Sequence, residues 1–157
     1  MINIKLTLFM KGMWPMIKTV ETEQEYQDVL VVRETVFIDE QGVSRDEEID
    51  EHEHTAQYII AYNDDQQPIA TARFRHVEGS AKVERVAVLK SARGLGIGKQ
   101  LMQYLEQVAY EQGHRHFKLG AQTHAIPFYE SLGYHTYGEE FLDAGIPHYH
   151  MEKHLTS

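Results

Sequence analysis

The spacing of apolar positions changes repeatedly along the chain, and each change marks an element. Ile2, Ile4, Leu6 and Leu8 alternate with Asn3, Lys5, Thr7 and Phe9, the period of an edge strand. A short strand follows at residues 17–21. Thr22-Glu23-Gln24-Glu25 then has the form of a capping box, with Tyr26, Val29, Leu30, Val36 and Phe37 at helical spacing, so a helix is expected from there to about Phe37. Ala56, Tyr58, Ile60 and Tyr62 share one strand face by period-two alternation. Turn residues at 63–68 and 78–80 separate this strand from two more, at 69–77 and 82–89, which makes an antiparallel meander.

Ile97, Leu101, Met102, Leu105, Val108 and Ala109 return to helical spacing, and Gly113 stands where a C-terminal cap belongs. An apolar strand at 115–121 precedes a short helix marked by Ala125, Phe128, Tyr129 and Leu132. A last strand pair, 134–142 and 146–153, flanks Asp143-Ala144-Gly145. The pattern shows no repeat and no linker after residue 16. It predicts one mixed α/β domain over residues 16–157, with residues 1–15 as an appendage that lacks the cleavage site of a secretory signal.

Composition narrows the chemistry. The 157 residues include no cysteine, which excludes disulfides, thiolate metal sites and a cysteine nucleophile, and is compatible with a reducing cytoplasm. The net charge of −9 argues against a nucleic-acid surface, and no apolar run approaches the roughly 18 residues of a membrane span. The imbalance is concentrated in residues 34–53, where nine acids stand against Arg45. That segment is either a solvated acidic loop or a negative rim that draws in a cationic substrate such as an amine.

The most informative stretch is Val86-Ala87-Val88-Leu89-Lys90-Ser91-Ala92-Arg93-Gly94-Leu95-Gly96-Ile97-Gly98-Lys99. A strand feeds a glycine-rich turn that opens an amphipathic helix. Glycine lets the backbone approach a ligand closely, and the first helical amides have no internal acceptor. Together they suit a phosphate or pyrophosphate. Lys99 is followed by Gln100 and position 93 is Arg, so the Walker spacing fails; Gly94-x-Gly96-x-Gly98 also misses the dinucleotide fingerprint.

Arg93-x-x-Gly96-x-Gly98 does resemble the Arg/Gln-x-x-Gly-x-Gly/Ala pattern of the GNAT superfamily of N-acetyltransferases. Gln122-Thr123-His124-Ala125-Ile126-Pro127-Phe128-Tyr129-Glu130-Ser131-Leu132-Gly133-Tyr134 resembles the family's later signature, with Gln122 and Tyr134 replacing the usual Asn and Phe. Residues 33–41, 48–50 and 143–148 are similar to the small bacterial ElaA-like and YjcF-like members. The resemblance implies the acyl-CoA N-acyltransferase fold, an α/β (α+β) arrangement. Its sheet is mixed, mostly antiparallel and twisted, with six to seven strands flanked by about four helices. It also implies transfer of an acetyl group from acetyl-CoA to a primary amine by direct attack in a ternary complex, in a cytoplasmic monomer or homodimer.

Site residues follow from that likeness. The stretch Arg93, Gly94, Leu95, Gly96, Ile97, Gly98 and Lys99 would cradle the pyrophosphate. Main-chain groups at Val86, Ala87 and Val88 would pair with the pantetheine arm and face the thioester oxygen, and Gln122 and Phe128 sit at cofactor-contacting motif positions. Tyr129 matches the family's general acid. For the base, Glu84 is the first candidate because alternation places it on the face of Val86 and Val88; His148 is second, since imidazole titrates near neutrality. The pairs His52-x-His54, His114-x-His116 and His148-x-His150 lack a third ligand at a recognisable spacing, so no metal is expected. A non-catalytic acyl-CoA sensor and a histidine-rich metal-binding domain are the competing functions.

Overall fold

The computed structural model describes residues 15–156, and the strand expected over residues 2–8 lies outside them. Its strands are β1 (Met16–Thr19), β2 (Gln57–Tyr62), β3 (Pro68–Val77), β4 (Ser80–Val88), β5 (His116–Gln122), β6 (His135–Asp143) and β7 (Ile146–His154). They form one sheet in the order β1-β2-β3-β4-β5-β7-β6. Only β4 and β5 run parallel; every other neighbouring pair is antiparallel. The expected meander is present because short turns close it. At the first turn the Asn63 side chain accepts from the amides of Asp65 and Gln67, both at 2.9 Å, and so replaces backbone partners locally.

The helices are α1 (Glu23–Arg33), α2 (Arg45–Glu48), α3 (Ile97–Glu111) and α4 (Ile126–Ser131). The capping box at Thr22 closes as the sequence predicts: its hydroxyl accepts from the Glu25 amide, and the Glu25 carboxylate accepts from the Thr22 amide. α3 buries Ile97, Leu101, Met102, Leu105 and Ala109 against Phe74, Phe117 and Met151 on one sheet face. α1 covers part of the other face, with Val29 against Tyr58, Ile60 and Tyr62, and Val32 against Ala87. No described helix is long and apolar enough to cross a membrane.

The first helix differs from its prediction. Its α-helical part ends at Arg33, and Glu34–Glu40 continues as a π-helix, with the Gln41 amide donating to the Val36 carbonyl five residues back. Thr35 turns its hydroxyl onto the Val31 carbonyl at 2.9 Å, a back-bond that competes with regular helix. The wider turn ends at Gln41, and the acidic segment then folds back towards the sheet.

That acidic segment is neither simply solvated nor simply a rim. Glu48 and Glu53 are buried, and both bind Arg33, which is itself fully buried. Arg73, equally buried in the middle of β3, reaches Asp50, Glu53 and Glu84. Arg75 holds Glu84 at 2.8 Å, and Arg85 reaches Glu48 and Asp50. Four arginines thus meet four carboxylates. Burial alone would raise the Glu53 carboxyl, but hydrogen bonds from Arg33, the Asp50 amide and Tyr26 outweigh it and hold it well below the usual carboxylate range. The signal in the sequence was an arginine inside an otherwise uncharged strand stretch, Ala70-Thr71-Ala72-Arg73-Phe74.

Two outcomes follow from this network. A carboxyl depressed on folding adds stability that is complete above its unfolded value, near 4.5 for Glu53, and is lost as pH falls below it. Acid unfolding followed by circular dichroism should therefore begin below about pH 4.5. Glu53→Gln leaves Arg33 and Arg73 short of a counter-charge and should cost about 3–5 kcal/mol in urea denaturation, with a much shallower acid limb.

Candidate active site

A cleft of about 1120 Å³ opens where β4 leaves β5, slightly above the usual range for small-molecule sites. The two strands pair only at Ala81–Phe117, Lys82–Lys118 and Val83–Leu119. Beyond these pairs, β4 continues to Val88 with β3 on one edge and no strand on the other. A bulge accompanies the separation: Arg73 lies opposite Glu84 and Thr71 opposite Ala87, so Ala72 alone faces Arg85 and Val86. Arg85 takes a left-handed backbone, φ +55°, unusual for a side chain of its size. Its guanidinium is tied to the Glu48 carbonyl at 3.1 Å and to Asp50 at 3.3 Å.

The bulge corrects one prediction. An extra residue reverses the alternation, so Glu84 does not share a face with Val86 and Val88. Val86 and Val88 pack towards the α3 core, whereas Ala87 lies under α1 against Val32 and Val36. Glu84 sits on the α1 side, opposite Arg73. Burial would raise its carboxyl, but the Arg75 hydrogen bond and the charges of Arg73 and Arg75 lower it.

The glycine loop forms the second wall. Gly96 is the N-cap of α3 at φ +78°, with no side chain capping the helix, and the Gln100 amide is the first to return to Gly96 O. The amides of the preceding turn are therefore available to an anion, which fits a diphosphate. At Gly98 a Cβ would stand 3.2 Å from the Phe128 ring and 3.7 Å from Val88, so the bare backbone lets α3, α4 and β4 meet closely. Gly94, Ile97 and Lys99 also line the cleft; Leu95 does not, and its side chain is exposed. The Arg93 guanidinium is bound to Glu40 through both ends and to the Val88 carbonyl at 2.9 Å. Its charge therefore ties the π-helix to the end of β4.

The remaining predicted residues come to the same cleft. Gln122 donates to Gln41 at 2.8 Å, bridging β5 to the end of the π-helix. Tyr129 is buried between Phe128 and Tyr134; burial pushes its phenol up, and its hydroxyl makes no hydrogen bond among the described residues. His148, on β7, stacks on Phe141 and is 2.6 Å from the Ile146 carbonyl through Nδ1. A carbonyl only accepts, so Nδ1 carries a proton, and in the neutral ring Nε2 is the nitrogen with the lone pair. Sequence reasoning missed Phe37, Gln41, Glu47, Phe141 and His150, which complete the walls. They come from the π-helix and its end, from α2 and from the last two strands, and their own residue types and spacing do not mark them as cleft-lining.

The sequence profile of the acetyltransferase (GNAT) domain matches residues 19–155. The chain belongs to the GNAT family. The uncharacterized N-acetyltransferase YjcF of Bacillus subtilis (strain 168) is 46% identical to it over 134 residues, 85% of this chain and 95% of that one. The crystal structure of Escherichia coli ElaA superposes with a TM-score of 0.76 at 26% identity, covering 87% of this chain and 97% of its own. An acyl-CoA N-acyltransferase from Pseudomonas aeruginosa does so with a TM-score of 0.78 at 28% identity, over 87% and 98%. This GNAT protein is an N-acetyltransferase, and acetyl-CoA is its acetyl donor.

The left-handed N-cap supplies a direct check on the loop. Gly96→Ala should lower stability by about 1–2 kcal/mol, read from the urea midpoint, because a Cβ is strained at that φ.

Proposed function

We propose that the protein transfers acetyl from acetyl-CoA directly to a bound primary amine, with Tyr129 as general acid and His148 as general base. The observation that carries this reading is the unpaired β4 edge in one cleft with Tyr129 and His148. The first-turn amides of α3 hold the diphosphate. Main-chain groups at Val86–Val88 align the pantetheine arm, and an N–H there polarises the thioester carbonyl. Loss of one such donor costs around 3 kcal/mol in other enzymes.

The amine nitrogen bonds to the carbonyl carbon as the carbon–sulfur bond breaks. His148 Nε2 takes one proton from the bound ammonium, the departing sulfur takes one from the Tyr129 hydroxyl, and the second proton lost by the nitrogen as the amide forms restores the phenol. Burial keeps that phenol protonated at neutral pH, where a free thiol, near pKa 8.5, readily holds the proton it receives. The base matters because an alkyl ammonium near pKa 10.4 is only about one part in a thousand free amine at pH 7.4, a deficit of roughly 4 kcal/mol. Glu84, committed to Arg73 and Arg75, serves in this reading to hold β4 rather than to take the proton.

The acceptor in this reading is cationic. Glu47 and Asp143 line the cleft and their carboxylates make no ion pair among the described residues, while Phe141, His148 and His150 stack into an aromatic wall of the same cleft. The reaction belongs in the cytoplasm, in a monomer or homodimer.

Release of free thiol from acetyl-CoA, measured across monoamines, polyamines, amino sugars and lysine peptides, should exceed hydrolysis for at least one primary amine. With that acceptor, Tyr129→Phe should lower kcat roughly 10²–10⁴-fold while calorimetry shows acetyl-CoA affinity little changed. Absence of turnover across the panel, or an undiminished kcat in Tyr129→Phe, overturns the reading.

A further inference from the structure

Three side chains that acetyl transfer does not use converge at the end of the sheet away from the cleft. His116 opens β5 and His154 closes β7, and the register sets them directly across from one another. Glu152, two residues before His154, projects from the same face. His116 Nε2 is 2.7 Å and His154 Nε2 is 3.2 Å from the same oxygen, Glu152 Oε1. The two imidazoles are 4.0 Å apart and within 10° of parallel. One ligand atom from each of the three residues lies within 4.8 Å of the others. None of the three lines the cleft; Leu119, the first β5 residue that does, is about 10 Å further along the strand.

We propose that His116, Glu152 and His154 form a binding site for one divalent transition-metal ion of zinc's class, with the histidines ligating through Nε2 and Glu152 through a carboxylate oxygen. Two imidazoles and a carboxylate are a borderline nitrogen–oxygen donor set, which suits zinc, cobalt or nickel better than calcium or magnesium. Three protein ligands leave a fourth position to water. The tautomer this demands is also provided for: buried Ser80 Oγ lies 2.7 Å from His116 Nδ1 and can accept its proton, which leaves Nε2 free to bind metal. Such outer partners orient a ligating imidazole and raise its affinity.

The ligands sit on adjacent strands already held by the β5–β7 ladder, so little chain entropy is lost on binding. The chelating pair is not the His114-x-His116 of the sequence, because His114 turns to stack on His76 instead. A bound ion would clip β5 to β7 at the end opposite Gln122 and His148. This site stands independently of the acetyl-transfer mechanism.

Untagged full-length protein, stripped with a chelator, is titrated with ZnCl2 by calorimetry and with CoCl2 by visible absorption. One zinc per chain should bind, with a raised melting temperature and cobalt bands of a nitrogen-ligated site. His154→Ala and His116→Gln should each weaken binding at least about tenfold, and Ser80→Ala roughly tenfold, whereas His76→Gln should leave it unchanged. His154 is exposed near the chain's end, and circular dichroism checks that its variant keeps the fold. No zinc binding by the unsubstituted protein overturns the proposal. So do unaltered affinity in His154→Ala and His116→Gln, or a loss that follows His76 instead.

Discussion

The gap between β4 and β5 depends on the charges packed beneath the bulge at Arg85. A strand that continued in regular pairing would keep both edges satisfied and leave no main-chain groups for a ligand. Here one extra residue turns β4 away from β5 after three paired positions. The left-handed backbone at Arg85 is retained because its guanidinium reaches the Glu48 carbonyl, Glu48 and Asp50. Those acids are in turn held by Arg33 and Arg73, both fully buried. Ions this deep are tolerable only when each has a partner and its hydrogen bonds. The equal numbers of arginines and carboxylates meet that condition, and among the described residues no side-chain polar atom wholly cut off from solvent lacks a hydrogen bond.

The same network explains how distant segments form one cleft. Arg33, at the end of α1, draws in the acidic segment that follows it, and this brings the π-helix and α2 to the β4 edge. Arg93 then fastens Glu40 to the end of β4, and Gln122 fastens Gln41 to β5. The glycine loop is held from beneath by Phe128 and Val88 packed against Gly98. Tyr129 and His148 arrive on α4 and β7, whose positions are set by burial and by the sheet ladder. The groups proposed to react thus stand on rigid elements, which favours a fixed orientation between them.

Much of this was legible in the residues. The periodicities mark the elements, and the strand–glycine–helix junction appears where the residues place it, with Gly96 as the N-cap of α3. The two linked motifs bring Tyr129, Phe128 and Gln122 to the same cleft as the glycine loop. Three readings failed where local rules met tertiary constraints. Period-two alternation put Glu84 beside Val86 because it assumes an unbroken strand. The helix drawn to Phe37 missed the π-helix, whose widened turn leaves no mark on apolar spacing. The acids of residues 34–53 were counted without the arginines that neutralise them, because those partners lie on other elements.

Neighbouring residues were enough to set the order and type of the elements, the cap of α1, the turns of the meander and the loop that opens α3. Each of these depends on residues only a few positions apart. Long-range packing set where β4 departs from β5, which acids are paired and which face the cleft, and that His116 meets His154 rather than His114. Those outcomes depend on side chains tens of residues apart, joined through register and burial. Their energies depend on every partner being present at once, and no local spacing encodes that condition.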